Sequence, residues 1–424
     1  MGPSVILDKS ALEALSVDES VWLEALLDAN VVPVFYVEVL ADLEKQGRQG
    51  QAPESIVGRL AEKTPTNAYP NVHHRQMLLA ELAGQKIDMT GRPVISGGDV
   101  KRAADGKLGV HLDEFPEQTA LRRWQSHDFE AVERVVAKQW RGELATQNLD
   151  AMVDLVKVIL PTDHKISDLR QLKAFIDEFC ERGDRRVISL AADVLGLSDK
   201  DARALRKRWE KDLKRPLDRF APYSAHVFKV DLLFYLGIAR GFISADRASN
   251  VADMAYLYYL PFAAAFASGD GLHRRAVPLF LSDGQSFIDA NALKSALREL
   301  NAHYEALPEE IKQLGVLAFA SYPPPTLDNA VTRLWDNHMR PDWRDLAANL
   351  EANLGAPRDE ESDRRTVDEL NAQIDEAELV TDQSAALGPG EPDYVLRRRL
   401  VPATKGKWRM VSADVEAAGN SDQG

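Results

Sequence analysis

The sequence predicts an α/β fold on a central parallel sheet, split by a mainly α-helical insertion and followed by a helical C-terminal extension. Three observations predict it. The first fifty residues alternate short β-branched runs with helical patterns, the same alternation returns near residue 225, and amphipathic helices fill most of the stretch between. Each half of the α/β pattern has too few strands to cover a core alone, so the two halves are expected to make one domain.

In chain order, Val5-Ile6-Leu7 reads as a short buried strand ending at Asp8, with a helix through Leu15 and a second helix from Asp18 to Asp28. The run Val31 to Phe35 is rich in β-branched residues and reads as the second strand, although Pro33 interrupts it. Tyr36 to Gln46 then has Val39, Leu40 and Leu43 at helical spacing, with Glu38 expected in the first turn. Ala68 to Phe115 is crowded with Gly, Pro and Asn and reads as irregular structure with short helices.

Five amphipathic helices follow: Asp128 to Glu143, Leu149 to Ile159, Ile166 to Arg182, Asp184 to Leu195 and Ser198 to Leu213. In the last, Ser198 followed by Asp201 resembles a capping signal. His226 to Arg240 and Asp246 to Tyr259 read as helices, Ala263 to Ser268 as a third strand and Val277 to Leu281 as a fourth. Beyond Asp289 the pattern is helical. Arg358 to Gln383 is strongly acidic and reads as a solvated helix or linker, which Gly388-Pro389-Gly390 breaks. The tail alternates as YVLRRRLVP and KWRMV, a β-hairpin pattern, before a polar end expected to be disordered.

The expected divisions are 1–50 and 225–290 for the two parts of the α/β domain, 51–224 for the insertion, 291–383 for the helical C-terminal region and 384–424 for the basic tail. A single cysteine, Cys180, excludes an internal disulfide and a thiolate metal cluster, which fits a reducing cytoplasm. The N-terminal apolar run is too short for a signal-peptide core or a membrane span. A net charge of −14 excludes a uniformly basic nucleic-acid coat, but not a local basic groove.

Four acidic residues fall where a parallel sheet presents its ligand-binding edge. Asp8 closes the first strand, Glu38 opens the helix after the second, Asp253 lies on the helix before the third, and Asp270 follows that strand directly. Clustered carboxylates repel one another unless a hard cation neutralises them, and oxygen-only donors suit Mg²⁺ or Mn²⁺. Each residue has a plainer reading. Asp8 could be a helix cap, Glu38 a partner of the helix dipole, Asp253 an exposed helical residue and Asp270 a turn residue.

The segments ILDKSAL at Ile6 to Leu12, FYVEVLADL at Phe35 to Leu43 and SNVADMAYLYYLPFAAAFASGDGLHRRA at Ser249 to Ala276 together resemble the PIN-domain family. That resemblance covers roughly residues 4–46 and 226–283. It implies a three-layer PIN-like fold in which Asp8, Glu38, Asp253 and Asp270 hold the metal and carry catalysis, with Ser10 and Ser268 as polar support. It also implies a Mg²⁺- or Mn²⁺-dependent endonuclease, with RNA the favoured substrate, that activates water for attack on a phosphodiester.

The alternative is a catalytically silent PIN-like protein whose helical regions bind a partner, either another protein or a second copy. Phosphate-cradling loops, HExxH and GxSxG motifs are missing, and Ser10 stands where a haloacid-dehalogenase-like phosphatase needs its second Asp.

Two basic stretches could hold nucleic acid. One is Arg203, Arg206, Lys207, Arg208, Lys211, Lys214 and Arg215 around Trp209; the other is Arg397, Arg398, Arg399, Lys405, Lys407 and Arg409 around Trp408. Solvated surface is the plainer reading of both. His273, Arg274 and Arg275 follow Asp270 and are expected to meet the scissile phosphate.

Overall fold

A parallel sheet in the order β3-β2-β1-β6-β7 forms the centre of the molecule. Its strands are β1 (Ser4–Leu7), β2 (Asp28–Val31), β3 (Tyr69–Pro70), β6 (Ala265–Ser268) and β7 (Ser286–Asp289). The computed structural model describes residues 2–44, 52–66, 68–146, 149–160, 166–247, 249–354, 365, 376–380, 393–397 and 401–416. The Gly388-Pro389-Gly390 break, Arg398, Arg399, the polar end and most of the acidic stretch lie outside these residues.

Burial explains the central strands. Val5, Ile6 and Leu7 of β1 and Ala265, Phe266 and Ala267 of β6 are all nearly inaccessible, the continuous apolar pattern of a parallel sheet covered on both faces. Between β1 and β2 lie α1 (Lys9–Ala14) and α2 (Val17–Leu26), and α3 (Pro33–Leu40) follows β2. The second strand therefore ends earlier than the apolar run implied. Pro33 has no amide hydrogen to give a strand ladder and its fixed φ suits a first helical turn, so it starts α3 instead. Glu38 consequently sits well inside that helix, not in its first turn.

The middle of the chain supplies α4 (Pro53–Lys63), α5 (His74–Ala83), β4 (Asp99–Arg102), β5 (Leu108–Leu112), α6 (Pro116–Gln125), α7 (Ala131–Thr146), α8 (Asp150–Lys157), α9 (Leu169–Glu181), α10 (Arg185–Val194), α11 (Asp199–Lys211), α12 (Leu217–Phe220), α13 (Pro222–Ala239) and α14 (Ser249–Tyr256). The glycine-rich stretch thus contains a β4-β5 hairpin where irregular structure was expected. After β6 come α15 (Gly271–Ala276), β7, α16 (Ala290–Glu305), α17 (Glu309–Lys312), α18 (Val316–Phe319), α19 (Ala330–His338), α20 (Trp343–Ala352), β8 (Glu378–Leu379), β9 (Tyr394–Arg397), β10 (Thr404–Lys405) and β11 (Trp408–Arg409).

Two strand expectations are corrected. Val277 to Leu281 is not a strand: Val277–Leu279 forms a 3-10 turn with Val277 buried, and the edge strand is β7, where only Ile288 is buried. The tail is not one hairpin of YVLR with KWRMV. β9 instead runs parallel to β5, with β4 and β8 beyond it, while β10 and β11 make their own short hairpin. Among the described residues, no helix is long and apolar enough to cross a membrane.

The long buried helix α13 starts at Pro222 without a capping side chain of its own. Glu81 of α5 supplies the cap. Its buried carboxylate accepts from Tyr223 N (3.0 Å), Ser224 N (2.6 Å) and Ser224 Oγ (2.7 Å). Glu81→Ala leaves these buried donors unmet and is expected to cost about 3 kcal/mol or more in chemical denaturation, with Glu81→Gln intermediate.

Candidate functional site

Register brings the first candidate residues together. Leu7 lies beside Ala267, so Asp8, just past β1, stands beside Ser268, the last residue of β6, at the carboxyl edge of the sheet. From β1 the chain moves to β2 and β3 on one side and returns to β6 and β7 on the other. The gap between β1 and β6 is therefore the point at which strand order reverses, where open α/β sheets bind ligands.

Asp8 is buried and heavily engaged. Its Oδ1 accepts from Ala11 N at 2.8 Å and caps α1. Its Oδ2 accepts from Ser268 Oγ at 2.6 Å and faces His273 Nδ1 at 3.2 Å. Ser10 Oγ lies 2.9 and 2.8 Å from the two oxygens. Asp8 is thus a helix cap and also the link between β1 and the segment after β6.

Ser10 serves two partners and Ser268 three. Besides reaching Asp8, Ser10 Oγ accepts from Gly269 N at 2.8 Å and Ser268 Oγ accepts from Asp270 N at 2.9 Å. A β-carbon at Gly269 would stand 3.2 Å from Ser10 Oγ, so glycine lets the turn close against α1. Asp270 caps α15 through Leu272 N (2.6 Å), and Arg247 lies 3.9 Å from its Oδ2.

Glu38 and Asp253 come from α3 and α14, which pack together. Glu38 Oε2 accepts from Tyr256 OH at 2.7 Å. Burial lifts the Glu38 carboxyl above the ordinary range, more than Lys9 and the tyrosine lower it, and Asp8 and Asp42 push the same way as burial. Asp253 is 9% exposed and its Oδ2 has no hydrogen-bond partner among the described residues. Burial, reinforced by Asp270, Glu38 and Asp8 against the pull of His273, lifts it from 3.8 to about 7. All four carboxylates are therefore within electrostatic reach of one another.

Two buried basic side chains, His273 and Lys9, lie among these carboxylates, and neither role is read from the sequence. His273 is fully buried, so it cannot meet a phosphate as expected. It instead joins Asp8 and Ser268 (2.9 Å) through Nδ1 to the Asp253 carbonyl (2.7 Å) through Nε2. Burial alone would pull its pKa down, but the hydrogen bond and charge of Asp8 outweigh it and hold it above the usual value. Lys9 pairs with buried Asp42 at 2.5 Å and faces Glu38. The signal for His273 was its place beside Leu272 and three before Ala276, on the apolar side of a short helix.

Among the described residues, Asp253, Glu38 and Asp270 each keep an oxygen without a hydrogen bond, a donor type that suits Mg²⁺ or Mn²⁺. Among the described residues, however, no group of three or more His, Cys, Asp or Glu side chains is set to hold a metal ion. Comparison with known proteins finds no matching family model, no similar curated protein and no similar solved structure.

The expected nucleic-acid cations divide sharply. Arg274 is exposed and paired with Asp289 at 2.5 Å, and Arg275 donates to Phe242 O at 3.0 Å. On α11, Lys207 and Lys211 are exposed, while Arg206 donates to Ala202 O at 3.2 Å. Trp209 and Trp408 are buried and offer no stacking platform. Lys405 is also buried, paired with Glu24 at 2.8 Å.

Proposed function

We propose that the chain is a PIN-like, Mg²⁺- or Mn²⁺-dependent endonuclease with RNA as its favoured substrate. The observation that carries this reading is the unpartnered, buried oxygen of Asp253 among three further carboxylates at the strand-order reversal. A buried carboxylate without a donor is costly, and a cation between Asp253, Glu38 and Asp270 would relieve it. Once bound, such an ion supplies charge stabilisation and an acidified water.

The protein's own part is positional. Asp8 fixes the β1 and β6 ends, Ser10 and Ser268 hold the Gly269-Asp270 turn, and Tyr256 orients one Glu38 oxygen while leaving the other open. His273 and Lys9 reduce the repulsion, so the cluster can assemble before any ion arrives. Arg274 and Arg275 are exposed on α15 after Asp270, and each would have to leave its present partner, Asp289 or Phe242 O, to meet a phosphate.

The closed hydrogen-bond shell around Asp8 favours a second reading, a silent scaffold of the same fold that binds a partner through its helical regions. The two separate on purification. Labelled RNA incubated with Mn²⁺ should be cut internally by the wild type, not in EDTA, and about 10–100-fold more slowly by Asp8→Asn. Mn²⁺ should also raise the melting temperature of the wild type but not of an Asp8→Asn/Asp270→Asn double variant. No cleavage and no thermal shift would leave only the silent scaffold.

A further inference from the structure

The helical insertion carries a second charged feature that the carboxylate site does not use. On α11, Ala202, Leu205 and Trp209 are buried, and the helix packs on α5 and α10. Lys200, Arg203, Lys207 and Lys211 are all exposed and recur every three or four residues on the opposite side. They form a stripe roughly 16 Å long with neighbours about 5–6 Å apart.

The structure sorts these cations from the rest of the basic segment. Arg208 donates to Glu81 O (2.6 Å) and Leu82 O (3.0 Å) and lies 4.4 Å over the Phe220 ring. Arg215 is paired with Asp212. Arg206 is turned back onto its own helix. The four stripe cations make no side-chain ion pair or hydrogen bond among the described residues, although the chain has 66 carboxylates against 52 lysines and arginines.

We propose that this face is an exosite for the phosphate backbone of single-stranded RNA, separate from the carboxylate cluster; the choice of RNA rests on the nuclease reading above. A row of cations at this spacing can follow successive phosphates along a strand. Trp209, the aromatic residue of this helix, is buried with Nε1 donating to Arg215 O at 2.7 Å. With that ring closed to a base, the stripe offers contact to phosphates, which is independent of sequence. The exosite holds the strand by charge while the carboxylate edge acts on it.

The test is binding of a fluorescein-labelled single-stranded RNA of about 20 nucleotides, followed by anisotropy in EDTA so that no cleavage intervenes. The full chain is compared with a Lys200→Gln/Arg203→Gln/Lys207→Gln/Lys211→Gln variant, and with a Lys86→Gln/Lys138→Gln control at other exposed lysines. Four phosphate contacts on a single strand contribute a slope of about −3 in log affinity against log salt, or about 50-fold between 50 and 200 mM. The quadruple variant should lose that share, keep the wild-type melting temperature, and leave the control behaving as wild type.

Unchanged affinity and salt slope in the quadruple variant would overturn the exosite. So would a polyglutamate peptide that displaces the RNA at equal charge, since the face would then suit an acidic protein. Metal-dependent cleavage slowed by Asp8→Asn, alongside an unaffected quadruple variant, sinks the exosite and leaves the nuclease. Stripe-dependent binding by a wild type that cuts nothing does the reverse.

Discussion

Asp253→Asn is expected to lower RNA cleavage by at least about two orders of magnitude while raising the melting temperature by about 2–4 °C at pH 7.5. The loss should exceed the 10–100-fold typical of residues that merely support a metal ligand, because the substitution removes the charge from the oxygen best placed to receive the ion. The gain in stability has the opposite origin. Burial raises this carboxyl from 3.8 to about 7, so near neutral pH the fold holds a charge it disfavours, at a cost on the order of 2–4 kcal/mol.

The sign gives the pH dependence. A carboxyl whose folded pKa is raised contributes stability that is fully present below about pH 4 and is lost as pH rises through about 7. Glu38, also raised by burial, and His273, raised by Asp8 against burial, act in the same direction. Melting temperatures in EDTA should therefore fall between pH 5 and 8 for the wild type, and fall less for Asp253→Asn. An Asn variant that is both less stable and fully active would mean that Asp253 is an ordinary packing residue.

How much of this was legible follows from what each signal encodes. An apolar run ending in Asp8 announces a buried strand and its end, and the small-residue run before Ser268 does the same, so the two central strands were readable. β2 was misplaced because Val31 to Phe35 is continuously apolar across a strand end and a helix start, and only Pro33 marks the boundary. β7 was missed because just one of its residues is buried, while the more apolar Val277 to Leu281 belongs to a turn. The pairing of β5 with β9 joins segments far apart in the chain, and no local pattern records such a partner.

Side-chain direction was the harder part of the site. The four carboxylates stand at a strand or helix position that sequence can assign, but the inward turn of His273 and the Lys9–Asp42 pair are tertiary facts. The same limit explains Trp209 and Trp408, which read as platforms beside cations and are buried in the fold. For α11 the information was present, since helical periodicity alone puts Lys200 and Lys207 opposite Leu205.

Breaking the Glu24–Lys405 pair is expected to destabilise the fold by about 3–5 kcal/mol, a fall of roughly 3–6 °C in melting temperature. The pair joins α2 to the C-terminal hairpin with both side chains almost inaccessible, 4% for Lys405 and 0% for Glu24. Lys405 also donates to Thr64 O at 3.3 Å, and Glu24 accepts from Thr66 N at 3.2 Å. Beside it, Trp408 packs edge-on against Trp22 at 4.7 Å and shares Asn301 Oδ1 with it.

The hairpin turn fits closely, because a β-carbon at Gly406, whose φ is +55°, would come within 2.2 Å of Asp18 Oδ1. Glu24→Ala strands a buried ammonium and should be the worst single change; Lys405→Met leaves Glu24 its Thr66 donors and should cost less. Replacing both by Leu and Met removes the charges together and should recover most of the loss, so the double variant separates a charge effect from a packing one. RNA affinity and its salt slope should not move in the Lys405→Met variant, since a lysine sealed beneath this hairpin cannot touch a phosphate. A change in the slope with no loss of stability would return Lys405 to the surface and the tail to nucleic-acid binding.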